Sequence, residues 1–219
     1  MNVPANLIDL LRQRLQNGQP LPGPAAHALL FPNIVAQPRV PPPDARPSAV
    51  MALLFFKEGQ LHLLLMQRTP DKGAHSSQIS FPGGKWEKRD PDLKATALRE
   101  TKEEIGIDAG EIEVLGALSP LYIPVSNFQL FPFLGFLEKA PAYFICEAEV
   151  HCVIEVPFSF LLDEKNRVEA DVTSPVKPEL VRRVHAWRLP QGEILWGATA
   201  MITAELVMVA AALERGPGL

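Results

Sequence analysis

The sequence predicts an α+β fold, a mixed β-sheet sandwiched by helices. Strand-like apolar runs outnumber helical ones. Their order is mixed, which argues against the strict alternation of a doubly wound parallel sheet. The 219 residues are enough to bury a substantial core and fit one large domain better than two small ones.

Ala5 to Asn17 reads as an amphipathic helix, with Leu7, Leu11 and Leu15 at four-residue spacing and Gly18 as a stop. Pro20 to Pro47 is proline-rich, and Pro41, Pro42 and Pro43 exclude regular helix or central strand there. An arm wrapped on the main domain and a plain linker both fit this composition. The expected division is 1–47 for the helix and arm and 48–219 for the main domain.

Val50 to Phe56 and Leu61 to Met66 are apolar and flank Lys57-Glu58-Gly59-Gln60, which predicts a strand, a short turn and a strand. A turn is expected at Pro82-Gly83-Gly84 and a helix over Pro91–Ile105. Further strands are expected at Ile112–Leu118, Phe128–Leu137, Cys152–Val156 and Val181–Arg188. Ala198–Leu213 closes the chain as a helix, with Met201, Leu206, Val209 and Leu213 on its apolar side. No internal repeat is visible.

Net charge is −4, and no long basic run points to nucleic acid or a membrane surface. The apolar stretches are broken by Lys, Glu or Pro short of a membrane span. An enzyme of this charge acting on an anion needs local cations, which metal ions supply. Cys146 and Cys152 form neither a CxxC pair nor a disulfide framework, and buried free thiols are expected. With no signal-peptide pattern at the start, a cytoplasmic location is the expectation.

The segment with chemistry in it runs from Ser80-Phe81-Pro82-Gly83-Gly84-Lys85 to Arg99-Glu100-Thr101-Lys102-Glu103-Glu104-Ile105-Gly106. Asp90 is the expected N-cap, with Pro91 at the first helical position and Asp92 favourably placed against the dipole. Gly106 suits a left-handed C-cap. At about 100° per residue, Glu100, Glu103 and Glu104 share one sector, while Ala97, Leu98, Thr101 and Ile105 share the next and can face a core.

Like charges at these spacings cost roughly 0.2–0.5 kcal/mol per pair on an isolated helix. They also crowd the helix half whose dipole disfavours anions. Hard divalent cations such as Mg²⁺ or Mn²⁺ make the arrangement favourable. A merely solvated acidic face fits the triad taken alone. The adjacent Gly83-Gly84 pair, which lets the backbone approach a ligand and aim a carbonyl at a metal, shifts the balance towards a site.

The segment Gly84 to Ile107 resembles the Nudix box: Gly, five residues, Glu, seven residues, Arg-Glu, an apolar residue, any residue, Glu-Glu, any residue, Gly and an apolar residue. Arg99 to Ile107 matches it, with Thr101 at the first apolar position. Asp90 stands where Glu is usual, and eight residues separate it from Arg99. This variant resembles the coenzyme A pyrophosphatase branch of that family.

The run Leu64-Leu65-Met66-Gln67-Arg68-Thr69, through Lys72-Gly73-Ala74-His75-Ser76-Ser77-Gln78-Ile79, is similar to that branch's upstream signature. Gly73 and Ser77 replace a common Arg and a common Gly. Ile154-Glu155-Val156-Pro157 and Leu195-Trp196-Gly197-Ala198-Thr199-Ala200 also look like that branch, so the resemblance runs from about Leu21 to Leu213.

The resemblance implies a Nudix-type α/β/α sandwich around a mixed sheet. It implies Glu100, Glu103 and Glu104 as metal ligands, with a carbonyl of the Gly83-Gly84 turn, assigned to Gly84, as another. Arg99 would orient the glutamates. Glu149 is the expected extra acid from a later loop, with Glu155 as runner-up. The general base is Glu103 or Glu149.

Arg68, Lys72, His75, Ser76 and Gln78 are the expected substrate contacts. Arg68 could instead pair with a glutamate, His75 could be structural, and Trp196 is expected in the core. The implied partner is a small molecule, coenzyme A or a nucleoside diphosphate derivative, and a homodimer is compatible. Two other functions remain: hydrolysis of another nucleoside diphosphate derivative such as ADP-ribose or a dinucleotide, and nucleotide binding without catalysis. A purely structural interaction module would rest on the proline-rich arm alone.

Overall fold

A hairpin forms the middle of the main sheet in the computed structural model, which describes residues 6–32, 40–70, 77–174 and 177–215, with backbone alone at 174 and 177–180. Strand β1 (Arg46–Lys57) turns through Glu58 and Gly59 into β2 (Gln60–Arg68). Both turn residues have positive φ, 51° and 74°, the geometry that lets a two-residue loop follow the twist of its strands. The register pairs Leu53 with Leu64 and Lys57 with Gln60.

Short strands β3 (Ile79–Ser80) and β4 (Gly83–Lys85) follow, then helix α3 (Leu93–Ile105), after α1 (Leu7–Gln16) and α2 (Pro24–His27) upstream. Strands β5 (Glu113–Ala117), β6 (Leu121–Ile123), β7 (Phe128–Leu137) and β8 (Val150–Pro157) complete the main sheet. The order is β3-β2-β1-β7-β5, with β4 on β1, β6 on β7 and β8 on β2. The β1–β7 pair is parallel, whereas β1 pairs antiparallel with β2 and β4. The sheet is therefore mixed, as expected.

Alternation along β1 and β2 divides the core into two layers. Met51, Leu53, Phe55, Leu64 and Met66 pack with Ala97 and Ile105 of α3 on one face. Ala52, Leu54, Leu63 and Leu65 pack on the other face with Leu7 and Leu11 of α1. The second face also carries Ile202 and Leu206 of the last helix, α5 (Gly197–Glu214). This is an α/β/α sandwich generated by period-two strands and one-sided helices. After helix α4 (Phe158–Leu162), a smaller sheet is built from β9 (Arg167–Ser174), β10 (Lys177–Arg188) and β11 (Ile194–Leu195), in the order β11-β10-β9.

Four expectations need correction. The Pro82-Gly83-Gly84 turn continues into a strand, because Gly83 and Gly84 lie opposite Val50 and Ala49 on β1. Strand β9 was not expected, since Arg167–Ser174 mixes charged and apolar residues outside any long apolar run. Helix α5 is long and apolar enough by length and composition to cross a membrane. Here it is a core helix, with Ala200, Ile202, Leu206, Val209 and Ala210 buried. Cys146 and Cys152 are free but only half-buried.

Residues 7–30 share the core of the later chain. Glu205 of α5 is fully buried. It accepts hydrogen bonds from the Gly23 amide at 2.8 Å, the Ser119 amide at 2.9 Å and Ser119 Oγ at 2.6 Å. His27 Nε2 stands 3.8 Å away. Glu205→Ala strands these donors in a dry environment and is expected to cost about 3 kcal/mol or more. A urea midpoint equal to that of the wild type would contradict this latch.

Candidate active site

Helix α3 presents its acids through its caps and its buried side. Asp92, not Asp90, is the N-cap, and its side chain accepts from the Ala95 amide at 2.7 Å. Asp90 is used elsewhere, as the anchor for Arg99. Arg99 Nε and Nη2 bind Asp90 Oδ1 and Oδ2 at 2.9 and 3.0 Å. Asp90 also accepts from the Glu87 amide and Thr96 Oγ1. These bonds, the Arg99 pair above all, hold its carboxyl well below the usual carboxylate range. The shorter Asp, one residue further from Arg99 than the usual Glu of the Nudix pattern, thus still meets the guanidinium with both oxygens. Gly106 caps the C-terminus in the left-handed region at φ 79°, as expected.

Arg99 then fixes the acids. Its Nη1 lies 2.8 Å from both Glu100 Oε1 and Glu103 Oε2, and its Nη2 reaches the Lys85 carbonyl at 3.0 Å. The buried side of α3 carries Thr96, Ala97, Thr101, Glu104 and Ile105. The acidic stripe therefore runs from the interior outward: Glu104 is 2% exposed and Glu103 is 47% exposed. Glu104 accepts from the Gly83 amide at 2.8 Å and pairs with Arg68 at 3.2 Å. Burial pushes its carboxyl up to about 8, with Glu100 and Glu149 adding repulsion against the Gly83 and Arg68 contacts. Burial likewise raises Glu100, against the pull of Arg99.

The glycine pair is a requirement of this packing. A Cβ at Gly84 would stand 2.4 Å from the Glu100 carboxyl carbon. A Cβ at Gly83 (φ +156°) would stand 2.3 Å from the Ala49 carbonyl oxygen. A side chain at Gly84 would push α3 off β4, and one at Gly83 would push β4 off β1.

The acids open on a cleft of about 880 Å³. Glu100, Glu103, Glu104, Glu149, Arg68, Arg99, Gly83, Gly84 and Gln78 all line it, so the structure brings these expected residues together. The rest of the wall is mainly apolar, with Ile123, Val125, Phe128, Leu130 and Ile202. Lys72, His75 and Ser76 lie outside the described residues. Arg68 takes the glutamate option, between Glu104 and Glu149, whose Oε2 is 4.0 Å from its Nη2. Glu155 is not at this cleft; it binds Lys57 at 2.5 Å and Tyr143 at 2.8 Å on another part of the surface. Trp196, expected in the core, is half-buried on the cleft wall.

Sequence reasoning passed over Lys85, Phe128 and Arg182 on the same wall. Lys85 directly follows the glycine pair, which was a usable signal. Phe128 and Arg182 reach the cleft through strand pairing that no local pattern announces.

As they stand, no three acidic, His or Cys side chains among the described residues converge on one point to grip an ion. Glu103 is held by Arg89 and Arg99, and Glu104 by Arg68 and Gly83. The donor set nevertheless fits a hard divalent cation, because three carboxylates face one cleft end and burial raises two of them.

Residues 45–171 match the NUDIX domain. A protein of Enterobacter sp. (strain 638), called an uncharacterized Nudix hydrolase, NudL, is 35% identical over 170 residues, covering 75% of this chain and 83% of its own length. Nudix hydrolase 22, chloroplastic, of Arabidopsis thaliana is 31% identical over 183 residues, covering 78% of this chain. This chain spans 59% of that protein's length. A solved Nudix hydrolase from M. smegmatis, RenU, overlays with a TM-score of 0.51 at 12% identity, over 80% of this chain and 89% of that one, a likeness of fold. A domain match over more than half the chain, and relatives above 30% identity carried over most of its length, show that the chain belongs to the Nudix hydrolase family.

Proposed function

We propose that this cleft hydrolyses the diphosphate bond of coenzyme A or its derivatives, giving 4′-phosphopantetheine and adenosine 3′,5′-bisphosphate. The observation that carries the reading is the carboxylate cluster of Glu100, Glu104 and the more exposed Glu149 at one end of a mainly apolar cleft. The acidic end suits a cation-bridged diphosphate, and the apolar wall offers room for what projects from it. The segment 64–84, similar to the coenzyme A branch, enters the cleft at Gln78 to Gly84.

Glu100, Glu103, Glu104 and a carbonyl of the Gly83-Gly84 pair would hold Mg²⁺ or Mn²⁺. Such an ion supplies positive charge to the diphosphate oxygens and makes a water easier to deprotonate. Arg99 holds Glu100 and Glu103 in place through charge-assisted bonds. Glu103 or Glu149, the two more exposed acids at 47% and 52%, takes the proton of the attacking water. Arg68 keeps Glu104 and Glu149 beside each other despite their charge.

Coenzyme A is expected to be cleaved with higher kcat/KM than ADP-ribose. Lys72→Ala and His75→Ala are expected to lower kcat/KM for coenzyme A roughly 10- to 150-fold, and less for a small dinucleotide, as loss of a charge-assisted contact would do. Steady-state kinetics with both substrates checks this. A preference for ADP-ribose, or equal damage to every substrate, would remove coenzyme A and leave diphosphate hydrolysis standing.

A further inference from the structure

Two cations of the cleft, Lys85 and Arg182, make no ion pair among the described residues. Of its basic residues, Arg68 is committed to Glu104 and Arg99 to Asp90, Glu100 and Glu103. Lys85 lies over the Phe128 ring, with Nζ 5.8 Å from the centroid. Arg182 lines the cleft beside Val172 and makes no ion pair among the described residues.

The ribbon of β9 and β10 explains its aim. Arg182, Val184 and Ala186 pair with Val172, Ala170 and Val168, so these six residues share one face. On that face Ala170 and Ala186 are buried, whereas Trp187 packs from the other. Arg182 is the next residue outward on that face and, with its partner Val172, lines the cleft while remaining exposed. The neighbouring Arg183 is on the other face and is neutralised by Glu169 at 2.8 Å. Two adjacent arginines thus have opposite fates: Arg183 has a partner at the surface, and Arg182 lines the cleft with no ion pair among the described residues.

A guanidinium presented this way is a receptor for a phosphate, which it can bind with two parallel bonds. The scissile diphosphate belongs at the carboxylate end, with whose acids Arg182 makes no ion pair. We infer that Arg182 is a specificity-determining residue that binds a second, non-scissile phosphate monoester on the substrate, so that the cleft selects diphosphates carrying an additional phosphate. Resting on the reading proposed above, the group in coenzyme A is the ribose 3′-phosphate.

The test compares coenzyme A with 3′-dephospho-coenzyme A, and ADP-ribose 2′-phosphate with ADP-ribose, in wild type, Arg182→Ala, Arg182→Lys and Lys85→Ala. Equilibrium binding of adenosine 3′,5′-bisphosphate and AMP to the same proteins adds a readout that needs no turnover. The wild type is expected to favour the phosphorylated member by roughly 10- to 100-fold, the effect of one charge-assisted contact. Arg182→Ala should bring that ratio towards one by weakening the phosphorylated member alone, with Arg182→Lys intermediate. If coenzyme A is not cleaved but adenosine 3′,5′-bisphosphate still outbinds AMP through Arg182, the substrate reading falls and this inference stands. If coenzyme A is cleaved and Arg182→Ala leaves every ratio unchanged, the inference is overturned and the substrate reading stands. Loss of discrimination in Lys85→Ala with retention in Arg182→Ala would also overturn it.

Discussion

Glu103→Gln and Glu104→Gln are each expected to lower kcat for diphosphate cleavage by roughly 100- to 10,000-fold, the range seen when an acid–base group is removed. The folded protein should persist in both. Glu103 is 47% exposed, and its contacts are to Arg89 and Arg99, so glutamine replaces it without a cavity. Glu104 is buried, and glutamine keeps an oxygen for the Gly83 amide while sparing the interior a charge. Circular dichroism and a thermal melt establish folding, and turnover with coenzyme A and ADP-ribose reads the site. Full activity of a folded Glu103→Gln protein would remove the carboxylate stripe from the mechanism.

The second large effect is on stability. Without divalent metal, burial pushes Glu104 up to about 8 from an ordinary value of 4.5. Between those values the native state holds a proton that the unfolded chain has released. The contribution of Glu104 is therefore complete below about pH 4.5 and is lost as pH rises through about 8. The melting temperature of the metal-free protein should fall across that window, and Glu104→Gln should flatten the fall.

A bound cation reverses the preference, because it favours the ionised carboxylate. At a concentration one hundred times Kd it adds about 2.7 kcal/mol, or roughly 5–10 °C for a chain of this size. The metal-induced rise should be larger at pH 8 than at pH 5.5 and should shrink in Glu100→Gln. Melting curves indifferent to millimolar Mg²⁺ and Mn²⁺ at pH 8 would count against these acids as ligands.

What was legible in the sequence followed from periodicity. The β1–β2 hairpin was readable because apolar runs flank Glu58-Gly59, and α3 because its carboxylates and its apolar residues fall in separate sectors. Gly106 was readable as a cap because few other residues tolerate positive φ. The start of α3 was misread because Asp90 and Asp92 are equally good caps in isolation. Only the position of Arg99 nine residues further on shows which one is free to cap.

The cleft wall was less legible. Phe128, Trp196 and Arg182 come from three separate parts of the chain. Which of their faces meets the acids depends on β1 pairing parallel with β7 and on β9 pairing with β10. Glu205 shows the same limit. A glutamate in an apolar helix reads as an interruption, yet its partners Gly23 and Ser119 are 182 and 86 residues away. Glu149 was placed from its distance to Pro157, and the structure puts it beside Arg68 at the cleft, while Glu155 faces Lys57 and Tyr143.

The most direct measurement incubates the full chain with coenzyme A, ADP-ribose and a dinucleotide, with Mg²⁺ or Mn²⁺ and with chelator, and identifies the products by mass. The carboxylate cleft predicts metal-dependent scission within the diphosphate, with 4′-phosphopantetheine and adenosine 3′,5′-bisphosphate appearing fastest from coenzyme A and nothing appearing in chelator. Intact substrates throughout in the presence of metal, from a protein that melts cooperatively, would contradict it.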